Sequence, residues 1–254
     1  MSVDTNGVRV VERALDILNY MAESGEPARV SDIAKATGLS PATVYRLLST
    51  LRERNVVLQG ENSLYMIGPT PLFWSGAYRP RRALARAFRV CVGELWEMSR
   101  ETIHLYAFER DCVYYVDKME SPQAVVMRSR IGAWRDLYST GGGRAVLGAL
   151  PEAERQAYLD NTPLVPHTPE TRTDKQVLIQ LLEDGNRRGY QEERDENEVG
   201  IRCVGAPILD ATGYPLGAIS VSAPSYRMDD ALSEKIGAVT RETADKITAL
   251  LRKK

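Results

Sequence analysis

The segment spanning residues 30–49, VSDIAKATGLSPATVYRLLS, constrains the fold of this 254-residue chain more than any other stretch. Gly38 lies between two short helix-like runs, where the chain must turn sharply, and Leu39 fills the angle between them. Ser40 and Pro41 then form a start signal for the second helix, because a serine hydroxyl caps free backbone N–H groups and proline suits the first helical turn. The pattern predicts a helix-turn-helix rather than an ordinary pair of core helices.

The second predicted helix has two sorted faces. Apolar residues recur at helical spacing on one of them, namely Val44, Leu47, Leu48 and Leu51. The other face carries short polar groups, one aromatic ring and cations, a set that suits a helix lying in a DNA major groove. The residues predicted to bind DNA are Ser40, Ala42, Thr43, Tyr45, Arg46, Ser49, Thr50 and Arg52.

The segments around this motif predict a winged helix. Residues 8–22 form an amphipathic helix whose apolar stripe is predicted to be Val8, Val11, Leu15, Leu18 and Met21. After the motif, two strand-like runs within 56–68 flank the turn 60–63. Pro69 and Pro71 then interrupt the chain. We therefore place a DNA-binding domain at 1–68, a linker helix region at 69–88 and a second domain at 89–254.

Composition narrows the class of protein. The chain is 43% hydrophobic and 26% charged, as in globular domains, and no apolar run is long enough to cross a bilayer. The first residues lack the apolar core of a signal peptide. Three cysteines without metal-like spacing indicate a reduced, cytoplasmic protein with no metal or cofactor. The net charge of −1 means that DNA affinity would depend on a few placed contacts, doubled by a dimer.

The second domain is predicted to be an α/β unit built largely on hairpins. Strands are predicted at 102–108 and 112–118, at 124–127, and at 202–209 and 216–223. Helices are predicted at about 80–99, at 144–150 after a Gly-Gly-Gly turn, from Pro151, at 173–188 and at 229–251. The acidic run 192–198 is interpreted as solvated surface.

Several motifs resemble the IclR family of bacterial transcriptional regulators along nearly the whole chain. They are ERALDIL (12–18), DIAKATGLSPATVYRLLSTL (32–51), GGGRAVLGALP (141–151) and GYQEERDENEVGIRCVGAPILDATGYPLGAISVSAP (189–224). The resemblance implies an α+β chain with an N-terminal winged helix-turn-helix, a linker helix and a C-terminal GAF-like effector-binding domain. It also implies homodimers or homotetramers that bind palindromic operator DNA and respond to a small molecule.

The same resemblance implies an effector pocket lined from four places. These are Met127, the glycine-rich turn with Gly141 and Gly142, Cys203 with an acid upstream of it, and the pair Ser220 and Ser222. The acid is Glu193 or Asp195, and the Arg194 between them departs from the more acidic run expected of the family. The glycines could equally be an ordinary helix start, and the serines could be satisfied inside a sheet.

Two hypotheses for function follow. In the first, the chain is a ligand-responsive regulator of a catabolic operon and not an enzyme. It would sense a small organic acid or an aromatic metabolite whose body contacts Met127, Ile131 and Trp134. In the second, the chain is an enzyme with a DNA-binding domain that uses Cys203 or Ser222 as nucleophile. The sequence places no base for either nucleophile, since its two histidines, His104 and His167, are far apart along the chain.

Overall fold

The computed structural model describes residues 8–78, 82–127 and 129–252. The chain divides into two compact units, Met1–Pro80 and Arg81–Lys254. The first unit extends past residue 68 because the backbone N–H and hydroxyl of Thr70 bind the carbonyl oxygens of Asn55 and Arg54, at 3.2 and 2.8 Å. The functional division at residues 68 and 88 stays a prediction.

Within residues 8–78, helices and a small hairpin form the predicted winged helix-turn-helix. The elements are α1 (Arg9–Ser24), α2 (Val30–Thr37), α3 (Pro41–Glu53), β1 (Val57–Gln59), β2 (Tyr65–Ile67) and α4 (Thr70–Ala77). β1 and β2 pair antiparallel across a 3-10 turn. The core of this unit consists of Ile17, Met21, Ala28, Ile33, Ala34, Val44, Leu48, Val57 and Tyr65.

The predicted apolar stripe of α1 is wrong for its first half. Val8, Val11 and Leu15 are each more than half exposed, whereas Ile17 and Met21 are buried. Only the C-terminal half of the helix has its apolar side chains enclosed by the rest of the unit, and Ile17 and Met21 lie four residues apart on that face. Periodicity alone does not show which part of a helix has neighbours.

The second unit is built on a six-stranded antiparallel sheet with helices packed against it. Its strands are β3 (Thr102–Glu109), β4 (Cys112–Met119), β5 (Trp134–Asp136), β6 (Gln191–Arg194), β7 (Ile201–Leu209) and β8 (Pro215–Pro224), in the order β5-β4-β3-β8-β7-β6. Its helices are α5 (Arg82–Cys91), α6 (Gly93–Ser99), α7 (Gly141–Ala149), α8 (Glu152–Asn161), α9 (Lys175–Arg188) and α10 (Asp230–Arg252). This mixed architecture matches the predicted α/β unit.

The predictions for the edge regions of this sheet need correction. Residues 124–127 form no strand, and Val125 and Val126 are exposed while Met127 is buried. The two outermost strands, β5 and β6, were not predicted, because both are short and rich in charged residues and so lack an apolar alternation. Helix α7 begins at Gly141 rather than at residue 144.

The two faces of the sheet differ in chemistry. One face is apolar, and side chains such as Leu105, Val204 and Ile219 pack there with α5, α6 and α10, including Phe88 and Ile236. The opposite face also carries polar side chains and is covered by α7 and neighbouring segments. Within the described ranges, no helix combines the length and the apolar character needed to span a membrane.

Candidate DNA interface and candidate effector site

The turn of the helix-turn-helix has the geometry that the sequence predicts. Gly38 adopts the left-handed conformation, with φ of 68°, which favours glycine because it has no Cβ. The Ser40 hydroxyl accepts the backbone N–H of Thr43 at 3.3 Å, and Pro41 occupies the first turn of α3. Val44 and Leu48 are fully buried. The turn thus fixes α3 through its apolar face and leaves the other face outside.

None of the eight residues predicted to bind DNA is buried. Thr43 and Ser49 are half-buried, and the exposed members are Ser40, Ala42, Tyr45, Arg46, Thr50 and Arg52. The Arg52 guanidinium donates to the side-chain oxygen of Gln59 on β1, so Arg52 also ties α3 to the hairpin. Arg46 has no ion pair with any described side chain, which leaves its charge available to a partner. The surface therefore presents two cations without an ion pair among the described residues, Arg46 and Arg52, of which Arg52 is hydrogen-bonded to a neutral amide.

Buried polar side chains line the second face of the sheet in the C-terminal unit. This polar cluster consists of His104, Tyr106, Tyr115, Cys203, Ser220 and Ser222. The strand register brings them together, since His104 pairs with Ser220, Tyr106 with Tyr115, and Cys203 with Ser222. Alternation along a strand places residues two apart on one face, so Ser220 and Ser222 share this side. The structure thus brings both predicted serines and Cys203 into one buried group.

A hydrogen-bonded chain crosses the polar cluster. The Ser129 hydroxyl lies 2.8 Å from Nε2 of His104, and Nδ1 of His104 lies 3.3 Å from the Ser222 hydroxyl. The Cys203 thiol donates to the same Ser222 hydroxyl at 3.1 Å. Burial, together with the smaller effects of the positive charges of Lys118 and Arg135, lowers the pKa of His104 to about 3. His104 is therefore a neutral imidazole that links hydroxyl groups.

The cluster also contains a hydroxyl without a partner. Tyr115 is only 1% exposed, its ring centroid lies 4.8 Å from that of Tyr106, and its hydroxyl forms no hydrogen bond of normal geometry with a described residue. Burial raises the pKa of Tyr115, and Tyr106 and Arg135 lie close enough to lower it in part. The buried hydroxyl of Ser139, two residues before the start of α7, also has no hydrogen-bond partner among the described residues. A buried hydroxyl without a hydrogen bond costs free energy, so each marks a place where a ligand or water can bind.

The structure distinguishes between Glu193 and Asp195, the two candidates for the acid of the effector pocket. Glu193 is 1% exposed and pairs with Cys203 in the sheet register. One of its oxygens accepts the backbone N–H groups of Glu196 and Asn197, at 2.6 and 3.1 Å. Asp195 is half-buried, and its carboxylate instead accepts the backbone N–H of Gly200 at 2.6 Å, within the β6–β7 connection. Only Glu193 lies beside the polar cluster.

Burial controls the protonation of these groups. It raises the pKa of Glu193 to about 7, although the two backbone N–H groups favour the carboxylate and partly oppose the shift. Burial also raises the pKa of the Cys203 thiol well above its usual value, and the neighbouring Glu193 adds to this effect. Near neutral pH, Cys203 is a thiol and Glu193 populates both of its protonation states.

The glycines at the start of α7 are required by packing. A Cβ added to Gly142 would lie 2.4 Å from the Tyr106 ring, and one added to Gly141 would lie 3.1 Å from the Cβ of Cys203. The Thr140 hydroxyl caps the helix by accepting the N–H of Gly143 at 3.0 Å. These glycines therefore let the N-terminus of α7 lie directly on the polar face of the sheet.

A buried ion pair holds this helix to the β6–β7 connection. Arg144 is 1% exposed, and its guanidinium binds the Glu196 carboxylate through two nitrogens, at 2.7 and 2.5 Å. It also donates to the backbone oxygens of Tyr138 and Glu192, at 2.7 and 3.1 Å. The interpretation of 192–198 as solvated surface is therefore wrong for Glu193 and Glu196. No local pattern predicts this pair, because its members are 52 residues apart.

The lining of the proposed effector site differs from the sequence prediction in two ways. Of the three residues predicted to contact the body of an effector, only Met127 is buried with this side of the sheet, while Ile131 and Trp134 are more than half exposed. Sequence reasoning missed His104 and Tyr106. The signal was their alternation with Ile103 and Leu105 along β3, which predicts a strand with one polar face.

The structure places an imidazole beside Ser222, contrary to the expectation that neither nucleophile has a base nearby. Its pKa of about 3 makes His104 a weak base, since efficient general bases have a pKa near the working pH. The raised pKa of Cys203 keeps that residue from forming a thiolate. The arrangement is suited to binding polar groups rather than to activating a nucleophile.

Comparison with known proteins identifies the family. Residues 10–61 match the IclR helix-turn-helix domain, and residues 77–249 match the bacterial transcriptional regulator IclR C-terminal domain. The HTH-type transcriptional regulator KdgR of Escherichia coli (strain K12) is 30% identical over 246 residues, covering 96% of this chain and 93% of that protein. XynR of the same strain is 32% identical over 232 residues, covering 88% of this chain and 89% of that protein.

The solved structures agree with these matches. The crystal structure of the Thermotoga maritima IclR superposes with a TM-score of 0.77 at 31% identity, covering 96% of this chain and 99% of that one. Both parts of the chain, the helix-turn-helix and the α/β unit, are thus accounted for, and the resemblance inferred from the motifs is confirmed. The chain belongs to the IclR family of bacterial transcriptional regulators.

Proposed function

We propose that this chain is a homo-oligomeric regulator that binds a palindromic operator of a catabolic operon and senses a small organic acid or an aromatic metabolite. The observation that carries the proposal is the polar cluster with its unpartnered Tyr115 hydroxyl. Natural proteins satisfy nearly all buried polar groups. A fully buried set of hydroxyl, thiol and imidazole groups with a free donor therefore favours a ligand site over ordinary core.

The electrostatics of the cluster favour an anionic head group. Lys118, which donates to the backbone oxygen of Ser129 at 2.9 Å, and Arg135, which lies 5.4 Å over the Tyr115 ring, both act on His104 as positive charges. The donors available are hydroxyl groups, a thiol and the N-terminus of α7, and all of these suit a carboxylate. The proposed effector contacts are Met127, Gly141, Gly142, Glu193, Cys203, Ser220 and Ser222. Compared with the set predicted from the sequence, this proposal also includes Tyr115 and His104 and no longer includes Asp195.

The first unit supports DNA binding through a dimer. We propose that α3 enters the major groove with the exposed residues given above, and that Arg46 supplies a direct contact. Because so few cations line this helix, one copy would bind DNA weakly. Two copies bound to the two half-sites of a palindrome would bind with much higher affinity. Helix α4 exposes large apolar side chains, among them Leu72 and Phe73, the latter 82% exposed, which supports self-association.

The two activities would be linked through conformational populations. An effector that binds one arrangement of the oligomer better than another shifts the population toward it, and the operator affinity changes by the same coupling free energy.

The test begins with DNA selected by the purified protein from a random pool. We expect a palindromic consensus, and fluorescence anisotropy on that duplex should show an affinity that changes when the effector is added. Candidate acids, pyruvate and benzoate among them, should raise the melting temperature when they bind. Their concentration should stay constant during incubation. Selection of no consensus would contradict operator binding, and consumption of the acid would favour the enzyme hypothesis.

A further inference from the structure

Glu193 is a buried carboxyl group without a cation of its own. Its side chain is 1% exposed, and no described lysine, arginine or histidine forms an ion pair with it. One oxygen is occupied by the two backbone N–H groups of the β6–β7 connection. Cys203 is its partner across the strand pair, and the Cys203 thiol lies within hydrogen-bonding reach of the carboxyl group.

The charged groups around Glu193 are already committed to other partners or have the same sign. Arg144, on α7, binds Glu196 and two backbone oxygens, and its charge partly opposes the rise in the pKa of Glu193 without forming an ion pair with it. The β6–β7 connection contributes further acids, Glu196, Glu198 and the half-buried Asp195. On β7, Cys203 is a neutral thiol. Arg194, the next residue on β6, turns outward and pairs with Asp230. An additional negative charge near Cys203 would therefore meet Glu193 without an intervening cation.

The proposed effector site lies one side chain away from this carboxyl group. Cys203 contacts the Ser222 hydroxyl on one side and faces Glu193 on the other. An anion bound to Ser220 and Ser222 would repel a Glu193 carboxylate across a low-dielectric interior. A neutral Glu193 would instead keep both backbone hydrogen bonds through one oxygen and donate an O–H from the other.

We propose that an anionic effector binds the protonated form of Glu193, so that binding takes up a proton wherever Glu193 is ionised in the free protein and the affinity for acids increases as the pH falls. The inference rests on the proposed effector site and specifies its regulation. With a pKa of about 7 in the free protein, Glu193 is mostly protonated at pH 6 and mostly ionised at pH 8. If the anion binds only the protonated form, its dissociation constant increases about tenfold between these two pH values.

The experiment measures the affinity and the protons together. Titration calorimetry with benzoate and with pyruvate at pH 6, 7 and 8 gives the pH dependence. Parallel titrations at pH 7.5 in two buffers of different protonation enthalpy give the number of protons taken up. We expect the wild-type protein to bind about tenfold more weakly at pH 8 than at pH 6. Glu193→Gln, which mimics the neutral form, should bind with a constant affinity close to the wild-type value at pH 6.

Two variants serve as matched controls. Glu198→Gln removes an exposed carboxylate from the same connection and should keep the wild-type pH dependence. His167→Gln removes a histidine that hydrogen-bonds Asp136 at 2.9 Å in a cleft that Asn197 and Glu198 also line, and it should keep that dependence as well. Either control losing the dependence would assign the proton to another group and overturn the proposal.

A measurement without ligand separates this inference from the function on which it rests. Infrared difference spectra between the wild-type protein and Glu193→Gln should show a carboxylic-acid C=O band at pH 6 that disappears by pH 8. The proposal would be overturned if the band were missing, if the affinity of the wild-type protein did not depend on pH, or if the affinity of Glu193→Gln depended on pH as that of the wild-type protein does. If neither acid bound at any pH, the proposed ligand class would be wrong and the coupling with it, even where the band showed that Glu193 titrates near pH 7.

Discussion

Helix α3 and the polar face of the sheet hold the side chains that we propose to bind DNA and the effector in opposite ways. On α3 these side chains are exposed or half-buried, and the helix is fixed by its other face through Val44 and Leu48. On the sheet they are buried and hydrogen-bonded to one another, as Cys203 is to Ser222. Changes on α3 should therefore affect binding without affecting stability, whereas changes on the polar face should affect both.

The largest expected effect on stability comes from breaking the buried ion pair between Arg144 and Glu196. Replacing Arg144 with Met leaves the Glu196 carboxylate buried without a cation, which should lower the free energy of unfolding by about 3–5 kcal/mol. Urea unfolding followed by circular dichroism measures the loss. The control, Arg188→Met, removes an exposed arginine whose guanidinium lies 3.7 Å from Glu192, and it should cost less than about 1 kcal/mol. If both variants lost the same free energy of unfolding, burial of the Arg144–Glu196 pair would not be what makes it important for stability.

A smaller effect is expected from the contact between α7 and the sheet. In Gly142→Ala the new Cβ would meet the Tyr106 ring at 2.4 Å, so the helix must shift, at a cost of about 1–3 kcal/mol. The same shift should weaken the thermal stabilisation by an acid, because the start of α7 lies on the polar cluster. In Gly93→Ala, at a helical glycine with open space around it, stability should stay equal or increase by up to about 1 kcal/mol. Unchanged stability in Gly142→Ala would contradict the tight packing.

The smallest effect on stability is expected on α3. Arg46→Ala should change the free energy of unfolding by less than about 0.5 kcal/mol, as at other exposed positions. Operator affinity should nevertheless fall by about 10–100-fold, the value of one good base contact. Anisotropy on the selected duplex measures the affinity, and Arg9→Ala, an exposed arginine at the start of α1, should leave it nearly unchanged. An Arg46→Ala protein with full affinity would show that the exposed face of α3 is not the DNA interface.

Local signals predicted much of this fold. The strand pairs β3–β4 and β7–β8 follow from apolar runs around turns, and the helix predicted at 173–188 ends at Arg188 as predicted, with Gly189 after it at a φ of 82°. The predictions were wrong where local pattern and tertiary environment disagree. The apolar run 124–127 has no strand partner, the acidic run contains buried Glu193 and Glu196, and the first half of α1 is exposed.

The sequence by itself determined the helix-turn-helix, the family, and the residue types available for an effector site, because turn glycines, helix caps and alternation act over a few neighbours. The tertiary structure decided which of those residues meet. Glu193 rather than Asp195 lies against Cys203 because β6 pairs with β7, and His104 reaches Ser222 because β3 pairs with β8, 118 residues away. Burial and protonation depend on these long-range pairings, and no local pattern in the chain encodes them.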